Sequence, residues 1–383
     1  MKKSRTSIWR NAIVASSTML SLMLGLTRSD GRWSKKNDEN NPPKILTAEQ
    51  AGNKNIKELR GMPNAQLMPS MRFMSASLGV RCEFCHLSKD GKLDAAAENK
   101  KEKQTARDMI RMVKEINRAN FKGEPQVSCF TCHVGQPIPQ SFPILPVVMA
   151  SPVPPIQPLQ SAPPSFPSGS SVIDRYIETI GGEAAIEKIR SCVMTGKFTT
   201  ASGASGTYEA EQVPPDSAYE LIALSSFRRE RGVRNRSGWE KTSLGAIDLL
   251  PQQVSDMQLS LPFLLDLQLK RQYSEAAVSG KEKIDNHDAY VVDATRKDDK
   301  RERLYFDVQN GLLVRRITYA PTMVGIIPEQ IDLSDYRDVE GVKFPFSVRV
   351  SITDSNNPSN TRTFEQVRLN IQVEPSKFSK PSS

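Results

Sequence analysis

Two copies of the pattern Cys-x-x-Cys-His constrain the fold of this chain more than any other feature of its sequence. They occupy residues 82–86 and 129–133, 47 residues apart. In a helical turn, positions i, i+3 and i+4 lie on one face, so two thiols and one imidazole can reach the same bound group. This spacing is the attachment signature of c-type haem, in which the thiols form thioethers and the imidazole binds the iron.

Zinc sites and redox-active dithiols also use Cys-x-x-Cys, and they are the alternatives to haem. Here the two motifs contain four of the five cysteines and two of the three histidines. A tetrahedral zinc site gathers cysteine and histidine into one set, whereas each of these motifs is closed by its own histidine. We therefore expect two covalently bound haem c groups. The attachment residues are Cys82, Cys85, Cys129 and Cys132, and the proximal iron ligands are His86 and His133.

A predicted helix precedes each motif. Residues 69–79 form a short helical run, and residues 98–120 form a long amphipathic pattern with apolar side chains on one stripe and charged side chains on the other. A further short helix is predicted from the capping-box pair Thr47 and Gln50. The two predicted helices before the motifs both carry methionines, which bear on the sixth ligand of each iron.

Thioether sulfur is a suitable axial partner for iron, and His/Met ligation raises the reduction potential of a haem. For the first haem, Met71 is the predicted distal ligand, with Met74 and then Met68 as alternatives. For the second haem, Met109 is the predicted distal ligand, with Met112 as the alternative. The other interpretation of these methionines is that they fill gaps in the apolar core.

Two stretches of this sequence resemble the first and second haem segments of the cytochrome c subunit of the bacterial photosynthetic reaction centre. The matching residues are Met71-Arg72-Phe73-Met74 with Arg81-Cys82-Glu83-Phe84-Cys85-His86, and Arg107-Asp108-Met109-Ile110-Arg111-Met112-Val113 with Asn117 and residues 127–137. In that family each segment is a helix bearing the axial methionine, a turn and a Cys-x-x-Cys-His helix. The resemblance covers roughly residues 45–140 and implies that the axial methionines are Met71 and Met109.

The family carries four haem segments, whereas this chain has two copies of the motif. The resemblance implies a periplasmic cytochrome that transfers single electrons, as does the subunit that re-reduces the photo-oxidised centre. Its partners would be a redox donor and acceptor, or a membrane-bound electron-transfer complex. We expect an electron carrier and not an enzyme, because a dihaem peroxidase needs an open iron and both haems here have a methionine candidate.

The first residues of the chain have the pattern of an export segment. Lys2, Lys3, Arg5 and Arg10 precede or flank an apolar run over residues 12–26, which is short for a membrane span. Residues 1–28 are therefore predicted to be a signal peptide, with an uncleaved N-terminal anchor as the alternative. Residues 29–44 are polar and are predicted to be a flexible spacer. The predicted location is the periplasm, which agrees with haem attachment outside the cytoplasm.

The net charge of +9 raises the question of nucleic acid as a partner. The export pattern argues against it, and there is no compact Lys/Arg run with interleaved aromatic residues. Between Lys44 and Lys122 there are sixteen Lys and Arg against nine Asp and Glu. Two haems carry propionates, so we expect this excess to compensate the cofactors, and we expect no nucleic-acid partner.

A proline-rich stretch divides the rest of the chain. Eleven prolines lie between residues 137 and 167, which favours an extended polyproline II conformation over helix or sheet. We therefore expect residues 45–136 to form a dihaem cytochrome domain and residues 172–378 to form a second domain. The linker between them is predicted over residues 137–171.

Strand patterns dominate the second domain. Two short helices are predicted over residues 172–180 and 183–189, and one or two more within residues 249–269. Strands are predicted at residues 192–199, 207–212, 218–223, 238–242, 289–294, 303–308, 312–319, 330–339, 343–352 and 361–373. Short turns between consecutive strands indicate an antiparallel sheet. The predicted fold class is therefore multidomain, with a small α-helical dihaem domain followed by a mainly antiparallel β domain of the open or half-barrel type.

This second pattern is similar to the open β-barrel of lipoprotein carrier and outer-membrane lipoprotein-sorting proteins. The residues that carry the similarity are Tyr305-Phe306-Asp307, Asn310-Gly311-Leu312-Leu313-Val314-Arg315-Arg316, Asp335-Tyr336-Arg337 and Gly341-Val342-Lys343-Phe344-Pro345. In those proteins the concave face holds acyl chains, so the resemblance implies a lipid ligand. The alternative function is a carrier of lipid or another hydrophobic ligand, or a scaffold, with the haems as redox accessory or sensor.

Overall fold

A computed structural model of the chain describes residues 46–90, 92–141, 166–243, 245–354 and 358–381. The predicted signal segment 1–28 and the spacer 29–44 lie outside the described residues, as does most of the proline-rich linker. Within the described part, no helix combines the length and apolar character needed to cross a bilayer.

The described chain begins with a small helical region and continues into a large sheet. The helices are α1 (Asn64–Leu78), α2 (Cys82–Cys85), α3 (Lys101–Asn120), α4 (Cys129–His133), α5 (Gly169–Thr179), α6 (Glu183–Ile186), α7 (Pro251–Ser260) and α8 (Pro262–Gln272), with a 3-10 turn at Pro375–Phe378. A small antiparallel hairpin of β1 (Leu87–Lys89) and β2 (Lys92–Asp94) lies between α2 and α3.

The main sheet contains thirteen strands in the part of the chain that the structure describes. They are β3 (Cys192–Thr200), β4 (Ser205–Val213), β5 (Ser217–Leu224), β6 (Phe227–Arg234), β7 (Ser237–Thr242), β8 (Gly245–Asp248), β9 (Tyr273–Ile284), β10 (His287–Arg296), β11 (Arg301–Asp307), β12 (Leu313–Thr322), β13 (Gly325–Val339), β14 (Val342–Ile352) and β15 (Ser359–Leu369).

Every neighbouring pair in this sheet is antiparallel, in the order β8-β7-β6-β5-β4-β3-β15-β14-β13-β12-β11-β10-β9. Strands that are consecutive in sequence pair with each other, except β8 and β9, and the one pair of strands distant in sequence is β3 with β15. Since β8 and β9 form the two ends of the order, the described strands make an open sheet. The predicted fold class, a small helical region followed by an open antiparallel sheet, is confirmed.

Helices α5, α7 and α8 cover one face of the sheet. Tyr176 of α5, Val254 of α7 and Phe263 of α8 belong to the same buried core as strand residues such as Phe306 and Phe344. This helix-covered face is therefore filled by side chains of the chain itself. Full burial of each such apolar side chain contributes about 1.5–3 kcal/mol, which is why these helices lie on the sheet.

Two of the predicted helices differ from the structure. Helix α1 starts at Asn64, five residues before Pro69, and ends where Gly79 takes a left-handed conformation with φ +64°. The short helix predicted after Thr47 is wrong. Thr47 and Gln50 exchange the predicted hydrogen bonds, at 3.0 and 3.3 Å, but the chain then continues as turns. The reason is local, because Gly52 and Asn55 both have positive φ and interrupt helical propagation.

The turn between β12 and β13 joins the sheet to the helical region. Val324, in this turn, is 2% exposed and belongs to the apolar cluster that contains Leu59, Phe73 and Ile110. On α1, Arg72 Nε lies 3.3 Å from Asp354 Oδ2, just after β14. The sheet therefore supplies one side of the core of the helical region.

Candidate haem site

A cavity of about 900 Å³ lies in the helical region, which is near the upper end of the range for small-molecule and cofactor sites. Its walls contain all the predicted attachment and proximal residues, namely Cys82, Cys85, His86, Cys129, Cys132 and His133. The methionines named above also line it, namely Met68, Met71, Met74, Met109 and Met112. The structure thus brings every candidate residue to one cavity.

The first motif is a single helical turn that ends at its histidine. The backbone N–H of His86 donates to the Cys82 carbonyl at 3.0 Å, but His86 itself is extended, with φ −111° and ψ 146°. The imidazole is half-buried, and its buried Nδ1 lies beside the Ala95 carbonyl without a well-aligned hydrogen bond among the described residues.

The second motif is a better-capped helix. The Ser128 N–H donates to Thr131 Oγ1 at 3.0 Å, and Val134 ends α4 in a left-handed conformation with φ +47°. The Nδ1 atom of His133 lies 2.9 Å from the carbonyl oxygen of Gln136. When this nitrogen donates its hydrogen, the other ring nitrogen keeps the lone pair that binds a metal.

The backbone before the second motif is held by one side chain of α3. Asn117 Nδ2 donates to the Val127 carbonyl at 2.7 Å, and its Oδ1 accepts from the Val127 N–H at 2.9 Å. Asn117 is buried, so this pair of hydrogen bonds is shielded from water. The contact ties the segment that enters α4 to the helix that carries Met109.

The methionines differ in burial. Met71, Met74 and Met109 are half-buried, whereas Met68 and Met112 are exposed. Met71 and Met74 are one helical turn apart on α1, so they share a face of that helix. Both predicted distal ligands are in the cavity wall, and the assignment of Met71 and Met109 stays a prediction.

Two buried cations of α3 stand in the cavity wall near His86. Lys103 Nζ donates to the carbonyls of Ala95 and Ala97 at 2.9 and 2.8 Å. Arg107 forms two hydrogen bonds to Glu98, at 2.5 and 2.6 Å, which hold the pKa of that carboxyl well below its usual range. Burial, followed by the charge of Lys103, lowers the pKa of His86. The imidazole is therefore kept neutral, which is the form that ligates a metal.

These donors fit haem c. Each motif offers two thiols and one imidazole at the wall of a cavity that also holds thioether sulfur. Burial raises the pKa of both the Cys85 and the Cys129 thiols, so these thiols are protonated and uncharged before any attachment reaction. The buried cations were missed from the sequence, although Arg107 stands in the segment that carries the resemblance.

Known proteins are similar to this part of the chain. Residues 54–147 match the family described as photosynthetic reaction centre cytochrome C subunit. Cytochrome c-554 of Chloroflexus aurantiacus is 33% identical over 90 residues, which are 22% of this chain and 20% of that protein. The chain thus spans about a fifth of the length of this curated relative. The predicted resemblance of the cytochrome region is confirmed by both matches.

Solved structures resemble the sheet region. A DUF1329 family protein from Desulfovibrio piger superposes with a TM-score of 0.39 and 12% identity, covering 56% of this chain and 98% of that chain. A LolA superfamily protein from Nitrosomonas europaea gives 0.37 and 13%, covering 56% and 99%. These similarities concern the fold alone. The lipid ligand stays a prediction, and the helix-covered face on which it would lie is filled by α7 and α8.

Proposed function

We propose that this protein is a dihaem c-type cytochrome that passes single electrons between redox partners in the periplasm. The observation that carries the proposal is the cavity of about 900 Å³ lined by both Cys-x-x-Cys-His motifs and by their candidate methionines. The match of residues 54–147 to a cytochrome family supports the same chemistry.

The chain contributes attachment, ligation and shielding. Cys82 and Cys85 hold one haem and Cys129 and Cys132 hold the other, with His86 and His133 as proximal ligands. Met71 and Met109 are the distal ligands. Bound haem c supplies iron that takes up and releases one electron. Apolar residues of the cavity wall, which include Leu67, Ile110 and Val113, would shield bound haem from water. A methionine ligand at each haem, in addition to the histidine, would leave neither iron open to a substrate, and we therefore propose a carrier and not an enzyme.

The partners are an electron donor and an electron acceptor. The family resemblance makes a membrane-bound, photo-oxidised complex one class of acceptor. Whether residues 1–28 are removed or stay as an anchor determines whether the carrier diffuses or remains at the membrane.

Counting covalent haem tests the proposal. Protein matured in a host with cytochrome c assembly should carry two haems per chain by pyridine haemochrome and intact mass. The double variant Cys129→Ala/Cys132→Ala should carry one. Cys192→Ala is the control, because Cys192 is buried in the sheet core and should leave two haems. A mature protein with four free motif thiols would overturn the proposal.

A distal ligand test is separate. In Met71→His the thioether-to-iron charge-transfer band of one haem should be lost while the haem count stays at two. Met68→Leu is the control, since Met68 is the most exposed of these methionines and the distant alternative. Loss of the band in Met68→Leu and its retention in Met71→His would reassign the ligand.

A further inference from the structure

The two motifs lie in different electrostatic surroundings. From residue 125 to residue 141, the segment around the second motif contains no Asp, Glu, Lys or Arg. Around the first motif, charged side chains are dense, and several line the cavity: Arg81, Asp94, Glu102, Lys103 and Arg107. The two candidate haems would therefore experience unequal fields.

Burial decides which of these charges matter. Of the charged residues that line the cavity in the described part of the chain, Lys103 and Arg107 are buried. Their counter-ion, Glu98, is different, because 45% of its side chain is exposed and water screens its charge. Glu98 also pairs with Lys57 at 3.4 Å. The carboxylates of the cavity wall are exposed Asp94 and Glu102, and half-buried Glu58, which pairs with Arg111 at 2.8 Å. The interior beside His86 is therefore positive.

The proximal histidines differ in a second, independent way. His133 Nδ1 has the Gln136 carbonyl at 2.9 Å as a hydrogen-bond acceptor. His86 Nδ1 is buried beside the Ala95 carbonyl but forms no well-aligned hydrogen bond among the described residues, and that carbonyl also accepts from Lys103 at 2.9 Å. A hydrogen bond from Nδ1–H makes an imidazole a stronger electron donor to its metal. Stronger donation favours the ferric state.

We propose that the haem at Cys82, Cys85 and His86 has the higher reduction potential of the two. We further propose that the positive charge of the buried Lys103 raises this potential. This inference rests on the proposed function. The ferrous state carries one positive charge fewer than the ferric state, so a buried cation favours the ferrous state. The first electron taken up by the protein consequently resides on the first haem, and electrons pass from the second haem to the first.

Redox titration of single-haem proteins tests the order. Cys129→Ala/Cys132→Ala retains the first haem, and Cys82→Ala/Cys85→Ala retains the second. The protein with the first haem should have the higher midpoint potential, by at least a tenfold difference in the ferric–ferrous equilibrium constant, which is about 59 mV for one electron. In the intact two-haem protein, Met71→His should lower the upper midpoint, because replacing thioether by imidazole lowers the potential.

Charge variants test the role of Lys103. Lys103→Gln should lower the higher of the two midpoint potentials by an amount that corresponds to about a tenfold change in the ferric–ferrous equilibrium constant. The equilibrium constant of the other haem should change by less than threefold. Lys103→Arg should restore the higher potential, since the charge is kept. Lys101→Gln is the matched control, because Lys101 is an exposed residue of the same helix, and both midpoints should stay within threefold.

The outcomes separate the two claims. Two haems with equal or reversed potentials overturn this inference and leave the proposed carrier intact. An unchanged upper midpoint in Lys103→Gln overturns the role of that charge. Absence of haem overturns both claims together.

Discussion

Gly325, at the start of β13, lies against Ser128, the N-cap of the second motif helix. A Cβ atom on Gly325 would be 2.6 Å from the Cβ of Ser128 and 3.2 Å from the Phe73 ring. Gly325 also has φ +139°, a conformation that side chains of L-residues rarely adopt. The sheet region therefore touches the cap of the helix that carries Cys129, at a point where only glycine fits.

Gly325→Ala should loosen this contact. We expect a loss of about 1–3 kcal/mol in the free energy of unfolding, from overpacking against Ser128 and from backbone strain. Denaturant unfolding followed by far-UV circular dichroism measures it. Gly203→Ala is the control, because Gly203 also has positive φ, at +86°, but a Cβ there would meet nothing within 4 Å. Equal losses in the two variants would show that the close approach to Ser128 is unimportant.

Asn117→Ala should free the segment that enters α4. Two backbone groups of Val127 lose their buried partner, which should cost about 1–3 kcal/mol each. We expect less complete haem attachment at Cys129 and Cys132, with full attachment at the first motif, measured by peptide mass spectrometry. Asn120→Ala is the control, because Asn120 is exposed and its side chain donates to the Ile116 carbonyl of the same helix at 3.1 Å. Uniform attachment in Asn117→Ala would contradict this role.

Asp266 should make stability depend on pH. Burial raises the pKa of Asp266 to about 7, and Tyr176 donates to its Oδ1 at 2.6 Å. Because the folded pKa lies above the unfolded value of 3.8, the folded state holds the proton more tightly. The free energy of unfolding should therefore fall as pH rises from about 4 to about 7, by up to about 4 kcal/mol.

Asp266→Asn should remove that part of the pH dependence and be the more stable protein at pH 8. Unfolding measured at a series of pH values tests this. Asp288→Asn, an exposed position on β10, should leave the pH dependence unchanged. A parallel fall in wild type and Asp266→Asn would contradict the assignment.

Breaking the buried Glu302–Arg316 ion pair should lower the free energy of unfolding more than breaking an exposed ion pair. Arg316 Nη2 lies 2.7 Å from Glu302 Oε1, and both side chains are 2% exposed. Arg316→Met leaves the buried Glu302 charge with the weaker partner Arg296, whose Nη1 lies 3.4 Å from Glu302 Oε1, and this should cost about 3 kcal/mol. The neighbouring pair Arg303–Asp293, at 2.7 Å, has side chains 37% and 46% exposed. Arg303→Met should therefore cost about 1 kcal/mol or less in the same denaturant experiment.

Strand β6 shows why some strands were not predicted from the sequence. Strand β6 reads Phe-Arg-Arg-Glu-Arg-Gly-Val-Arg, which has no apolar alternation. It is a strand because Arg229 and Arg231 reach Glu220 on the neighbouring strand, at 3.4 and 2.5 Å. A hydropathy pattern treats arginine as a surface residue and does not predict these ion pairs, because the register of the two strands determines which residue each arginine contacts. The short edge strand β8 and the long strand β9 were missed as well.

The sequence by itself determined which residues are candidates for a haem site, the amphipathic helix α3 and the antiparallel class of the sheet. These depend on short-range spacing and periodicity, which are local properties of a chain. Only the tertiary structure placed both motifs at one cavity, buried Lys103 and Arg107 beside His86, and set Gly325 against Ser128. These contacts join residues distant in sequence, and their strength comes from burial, which lowers screening and is known only once the chain has folded.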